Sequence, residues 1–349
     1  MRKILSICLV LILVCGCRHE RTYFPQTVEP VAIDFVRFDS AILSLRTAGM
    51  DTMLYINSLY ENFEDFMPVF CEDILGIDPA DTAYLRSALP KFIDDTLYGF
   101  RQTNERVALL FKDISPLKKS VCDAFSKLKY LYPELVLPEV TLFISGFNAS
   151  VFFWESERDM VDLSGDMPIR IAVGTDMYLG QDYEYYNRVV YNYQKQTMRP
   201  ECIPADIVSA YLFRTFPYTS DKNRLLENML YRGKLMYLLS AVFPDETEAE
   251  VMGYTTEQWQ WAKRNEAQIW QSMLDKRDLF KTESPVLSSY LNDGPFTAEV
   301  SQDSPPRLGT WVGMQIVRSY MENNPQVTMQ ELLLDGDAQH ILELSKYRP

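Results

Sequence analysis

Apolar positions change their spacing along the chain, and the changes divide it. Residues 4–14 form an almost unbroken apolar run behind Arg2 and Lys3. That run falls short of the ~20 apolar residues a membrane-spanning helix needs. Residues 18–30, with Pro25 and Pro30, carry no periodicity and read as a linker. Residues 31–38 alternate well enough to predict a first strand. From about 39 to 131 the spacing is helical. Leu54, Tyr55, Leu59, Phe63 and Phe66 recur at three and four residues, as do Leu109, Leu110, Leu117, Val121 and Phe125. Asp78 and Asp81, on either side of Pro79, are placed to cap a helix.

The middle of the chain reads differently. Residues 140–144 and 150–154, separated by Gly146-Phe147-Asn148, and residues 169–173 predict three strands of one small sheet, joined partly by hairpins. A loop with Tyr178, Tyr183, Tyr185, Tyr186, Tyr191 and Tyr193 follows. Helical spacing resumes at Pro204, which suits a first helical turn because its missing N–H has no intrahelical partner there. In residues 225–243 the apolar positions 226, 230, 233 and 237 put Gly233 on the buried stripe, where it would let a neighbouring element approach closely. Residues 255–280 and 305–322 continue the helical pattern. The expected fold class is α+β, mainly helical with a small mixed β-sheet. The expected organisation is a leader over 1–16, a tether over 17–30 and a single globular domain over 31–349. That domain would be helical to about 135, with sheet and helices over 136–349.

A basic end, a short apolar stretch and then small residues describe an export leader that is removed. Val14-Cys15-Gly16-Cys17 resembles the lipobox of bacterial lipoproteins. The resemblance implies cleavage before Cys17 and acylation of that cysteine, and two or more acyl chains suffice for stable anchoring. The alternative is an ordinary leader with an incidental cysteine. Gly16 before the cysteine and polar Arg18-His19-Glu20-Arg21 after it argue against that. No acidic run follows Cys17, which points to a periplasm-facing position on either the inner or the outer membrane. No other stretch is apolar enough to span a bilayer.

Losing Arg2 and Lys3 with the leader takes the formal charge from −14 to −16. Such a chain repels nucleic acid and anionic membrane surfaces. Its aromatic content is high and its glycine content low, as in a packed, ordered domain. Cys71, Cys122 and Cys202 lack metal-site spacing and allow at most one internal disulfide. Cys71 follows the apolar run 66–70 and reads as a buried free thiol.

Histidine scarcity is the strongest chemical statement. Only His19 and His340 exist, and His19 lies in the tether. A zinc peptidase with two histidines on one helix is therefore excluded. A Ser–His–Asp triad would have to use His340, and no Gly-x-Ser-x-Gly elbow accompanies it. His340 reads instead as a solvated residue at a helix end. No phosphate loop or dinucleotide fingerprint occurs, and the sequence calls for no cofactor. Metal-free carboxylate chemistry stays open. Asp293 and Arg307 can pair across two turns with Trp311 packed beneath. A structural loop locked by an ion pair is favoured there over a ligand site. The tyrosine loop, with Trp154 near it in sequence, offers amphipathic contact area for glycan or protein, against the alternative of core packing.

Several segments carry a family resemblance. Ile144-Ser145-Gly146-Phe147-Asn148, Gly174-Thr175-Asp176-Met177-Tyr178-Leu179-Gly180 and Asp293-Gly294-Pro295-Phe296-Thr297 resemble the gliding-motility lipoproteins of the GldB type, found in Bacteroidota. Arg307-Leu308-Gly309-Thr310-Trp311-Val312-Gly313-Met314-Gln315-Ile316-Val317 and the terminal Ser345-Lys346-Tyr347 do so too. The resemblance implies a compartment and a context, the gliding machinery and its linked secretion system, rather than a reaction. More distantly, the order of elements is similar to a zinc-peptidase family with an HExxH helix. By that likeness Ala205, Asp206 and Ser209 stand in the histidine region, and Arg232 falls near the third-ligand position. The implied architecture is zincin-like without its metal, with Arg232 needing a carboxylate partner. The cleft would survive as a groove beside the strand 169–173, with Asp176, Tyr178, Arg232, Asp293, Arg307 and Trp311 as its candidate residues. Three functions follow. The first is a non-catalytic envelope lipoprotein that binds an envelope protein partner. The second is a metal-independent hydrolase of cell-wall glycan or peptide, using Asp176 and Asp293. The third is a carbohydrate-binding module using the tyrosine loop.

Overall fold

Four short runs rich in β-branched and aromatic residues supply the strands of the computed structural model, which describes residues 21–46, 51–97, 99–156 and 167–349. The leader, Cys17 and His19 lie outside the described residues. The strands are β1 (Asp34–Arg37), β2 (Pro138–Phe143), β3 (Val151–Trp154) and β4 (Ile169–Gly174), in the order β1-β2-β4-β3. β1 and β4 flank β2 in parallel, with Phe35 opposite Val140 and Val140 opposite Ile171. β3 runs antiparallel to β4 and forms the edge. The expected α+β fold, mainly helical with a small mixed sheet, is the one observed.

The first strand is shorter than its alternation suggests, because Phe38 opens a helix over Phe38–Leu43. Its ring is fully buried against Phe63, Phe66 and Phe70, at centroid distances of 5.3, 5.1 and 4.9 Å. Aromatic packing overrides the alternation there.

The longer helices before the second strand are α1 (Thr52–Asn62), α2 (Thr82–Asp94), α3 (Phe100–Leu110) and α4 (Ser115–Leu131). Asp81 caps α2 by accepting from the Tyr84 N–H at 2.9 Å. Leu54 and Leu109 fall outside the buried stripes of their helices and are exposed. After the sheet come α5 (Ile203–Thr215), with Pro204 in its first turn, and α6 (Leu225–Val242). Then follow α7 (Thr256–Arg264), α8 (Glu266–Asp275), α9 (Ser284–Leu291), α10 (Leu308–Asn323) and α11 (Ala338–Ser345). His340 is an exposed residue in the first turn of α11.

Every residue of α10 from Leu308 to Val317 is buried, so the helix is apolar all round and sits in the interior. It crosses α6 at a pair of glycines. A Cβ on Gly313 would sit 2.0 Å from the Met229 carbonyl oxygen, and one on Gly233 would sit 2.3 Å from the Gly313 carbonyl carbon. The close approach expected at Gly233 is thus made to α10, and only glycine permits it on both sides. Buried apolar residues form one cluster running from Ile33 to Ile341.

The linker reading of residues 18–30 changes from Arg21 onward, where the segment lies against the domain through hydrogen bonds and ring contacts. Cys71, Cys122 and Cys202 are free thiols, and Cys71 is buried as expected. Among the described residues no helix is long and apolar enough to cross a membrane.

Candidate functional site

A cleft of about 770 Å³ opens where α5, α6, the start of β3, the tyrosine loop and the turn before α10 meet. Helical spacing puts Ala205, Asp206 and Ser209 of α5 on its wall, and Arg232 of α6 faces the same space. Tyr178, Asp293 and Arg307 also line it. Four of the six expected cleft residues therefore come together here.

The other two do not. Asp176 is fully buried after β4, where it accepts from the Ser145 N–H at 2.7 Å, the Phe147 N–H at 2.7 Å and the Ser145 hydroxyl at 3.1 Å. Burial pushes its carboxyl up from the ordinary value, and those donors pull against the shift. It latches the turn in which Gly146 and Phe147 both take positive φ, at 64° and 65°. With its oxygens committed to that turn, Asp176 has no access to a substrate. Trp311 is wholly buried beneath the Arg307 turn and packs edge-to-face on Trp259 at 6.1 Å. It supports the cleft from below without lining it.

The edge of the cleft also differs from expectation. Ser150 and Val151, at the start of β3, border it rather than the strand 169–173. The sheet order explains this, since β4 is internal between β2 and β3, whereas β3 presents an edge.

Arg307 forms the expected ion pair, its Nε 2.9 Å from Asp293 Oδ1. Its guanidinium also donates to the Met252 carbonyl and lies over the Tyr254 ring at 6.0 Å. Arg307 itself takes φ 56° as the residue before α10. Asp293 is 70% exposed, so the pair contributes little stability, and the main-chain bond and the ring do most of the positioning.

Arg232 departs from the expected arrangement. No carboxylate pairs with it among the described residues, and its Nη1 donates to the Leu291 carbonyl at 2.8 Å. Burial lowers its pKa from the usual guanidinium value, and the neighbouring Arg307 acts in the same direction. A main-chain carbonyl suffices because the side chain is only partly buried and the cleft admits water.

Asp206 was visible in the sequence only as a replaced position, yet it is the focus of the cleft. The Tyr178 hydroxyl donates to its Oδ2 at 2.7 Å. Loss of hydration pushes the Asp206 carboxyl up to about 6, against the pull of Tyr178 and Arg307, and the Asp293 charge adds to the rise. The signal available in sequence was an acid set in the apolar stretch Ile203-Pro204-Ala205-Asp206-Ile207-Val208. Glu246 also faces the cleft, its carboxyl raised by burial and then by Glu250 and Asp206.

The donor set does not fit a catalytic zinc. Ala205 and Ser209 offer no imidazole, Arg232 is a cation, and Asp206 is held by Tyr178. The tyrosine loop divides between two roles. Tyr178 and Tyr186 are buried, the latter bonding both the Leu179 N–H and the Asp176 carbonyl at 2.8 Å. Tyr191 is exposed and stacks on Tyr193 with centroids 5.7 Å apart.

No curated protein and no solved structure matches this chain. A family model does, over residues 23–349, and its description is gliding motility protein GldB. By that match the chain belongs to the GldB family of gliding-motility lipoproteins.

Proposed function

We propose that the protein is an envelope lipoprotein, acylated on Cys17 and facing the periplasm, whose single domain binds an envelope protein partner in this cleft without catalysing a reaction. The observation that carries the reading is Arg232, a cation on the cleft wall that is hydrogen-bonded to a main-chain carbonyl and paired with no carboxylate among the described residues. Ala205, Asp206 and Ser209 of α5 line the same cleft, and none of them carries an imidazole. A groove with a guanidinium on its wall is suited to recognition, because guanidinium binds carboxylate and main-chain acceptors directionally.

The test is photo-crosslinking in growing cells from a reactive residue at Val151, on the cleft edge. A single protein adduct that disappears in Arg232→Glu is the expected result. Adduct formation unchanged by Arg232→Glu would remove the cleft from the interaction.

Metal-independent hydrolysis of wall glycan or peptide is the second reading. One observation favours it: Asp206, protonated near pH 6, shares the cleft with the exposed carboxylate of Asp293. Two carboxyls in unlike environments are the usual requirement for such chemistry. Turnover of wall fragments by the purified domain, abolished in Asp206→Asn, would establish this reading and displace the first.

A further inference from the structure

The segment after Cys17 is not free for long. Arg21 Nη2 donates to the carbonyls of Pro325 at 2.9 Å and Val327 at 2.6 Å, and Nη1 reaches the Met321 carbonyl at 3.5 Å. These acceptors belong to the last turn of α10 and the turn after it, where helix carbonyls lack intrahelical partners. The Tyr23 hydroxyl shares a 2.6 Å hydrogen bond with that of Tyr237 on α6, and the two rings meet edge-to-face. Phe24 packs on Tyr130 of α4, with the Lys127 ammonium over its ring. At the far end the Val31 N–H donates to Ser126 Oγ at 3.0 Å, just before β1. Residues 21–31 are a strap fastened along α4, α6 and the end of α10.

Only four residue steps separate Cys17 from Arg21, and covalent geometry limits that distance to about 14 Å. A domain of this length is about 50 Å across. A leash that short cannot let the domain roll over, so its exit point must face the lipid. The exit lies at the C-terminal end of α10, whereas Arg307, at one end of the cleft, precedes the N-terminus of that helix, about 24 Å away along it.

We infer that the strap fixes the orientation of the domain on the membrane, with the α10 C-terminus and the neighbouring end of α11 against the lipid surface and the Arg307 end of the cleft turned to the aqueous side. This rests on acylation at Cys17, as in the proposed function. The lipid-facing end carries Leu344, a partly exposed apolar residue whose carbonyl accepts from Asn324 at 3.2 Å, and the half-exposed ring of Tyr130 flanks the strap. A partner reaching the Arg307 end of the cleft therefore comes from the periplasmic space or from another protein's ectodomain.

The full-length acylated chain is reconstituted into phosphatidylethanolamine–phosphatidylglycerol vesicles containing nitroxide-headgroup lipid. A fluorescent unnatural amino acid replaces either Leu344 or Tyr191, the latter an exposed residue on the loop beside the cleft. Most of the fluorescence is lost at Leu344 and little at Tyr191. In the triple variant Arg21→Ala, Tyr23→Ala, Phe24→Ala the free segment lengthens toward Val31 and the contrast between the two positions collapses, while both single-label chains still float with the vesicles. Equal quenching in the native strap, or contrast that survives its release, overturns the orientation alone. A chain that does not float overturns the anchor, and the orientation with it.

Discussion

Asp176 and Asp206 are both carboxyls withdrawn from bulk water, yet they sit in regions built to opposite ends. Asp176 stands on the sheet side, wholly enclosed, with two backbone N–H groups and a hydroxyl committed to it. Asp206 stands on the helix side with one phenolic donor, facing an open cleft whose lining includes three arginines. The first arrangement spends every acceptor on holding a turn whose φ angles are unfavourable for Phe147. The second leaves acceptors and donors unspent. A polar group with all its valences satisfied internally serves structure, and one left partly satisfied at a surface is available to a ligand.

Asp176→Ala gives the largest effect, because it strands two buried N–H donors. A loss of about 3 kcal/mol in chemical denaturation is expected, with loosening of the turn at Gly146 and Phe147. A loss well under 1 kcal/mol would place Asp176 in the same class as Asp206 and erase the contrast.

Asp206→Asn is expected to act with the opposite sign. Its carboxyl is raised in the folded state from 3.8 to about 6. Native stability from this group is therefore complete below about pH 4 and falls as pH climbs through 6. The asparagine variant should gain on the native chain over that window and keep its advantage above it, as thermal melts at pH 4 and pH 7.5 will show. No change in the difference between those pH values would mean that the carboxyl is not desolvated.

Tyr178→Phe sharpens the same point. It removes the single donor to Asp206 and should cost about 1 kcal/mol while driving the Asp206 titration further upward, measurable by carboxyl NMR. Asp293→Ala comes last. An ion pair with a mostly exposed carboxylate should change stability by less than about 1 kcal/mol, and added salt should erase even that.

Much of the molecule was legible in the primary structure because its causes are local. Helical spacing located α4, α6 and α10, the cap of α2 followed from Asp81, and the three later strands followed from their β-branched runs. Gly233 announced a close approach, and the presence of only two histidines ruled out a metal site built on a pair of imidazoles within the domain. The pairing of Arg307 with Asp293 could be foreseen because both sit in short turns rich in proline and glycine. What only the tertiary structure decided involves segments far apart in the chain. Sheet order made β3 an edge, and therefore a wall of the cleft, and put β4 inside the sheet although both strands have apolar sequences. The hydrogen bonds of Asp176 to residues 145 and 147 took it out of the cleft, whereas Tyr178, two residues on, reached Asp206 on α5. Arg21 found its acceptors some 300 residues away. Periodicity reports which face of an element is buried, but it carries no information about what that face will meet.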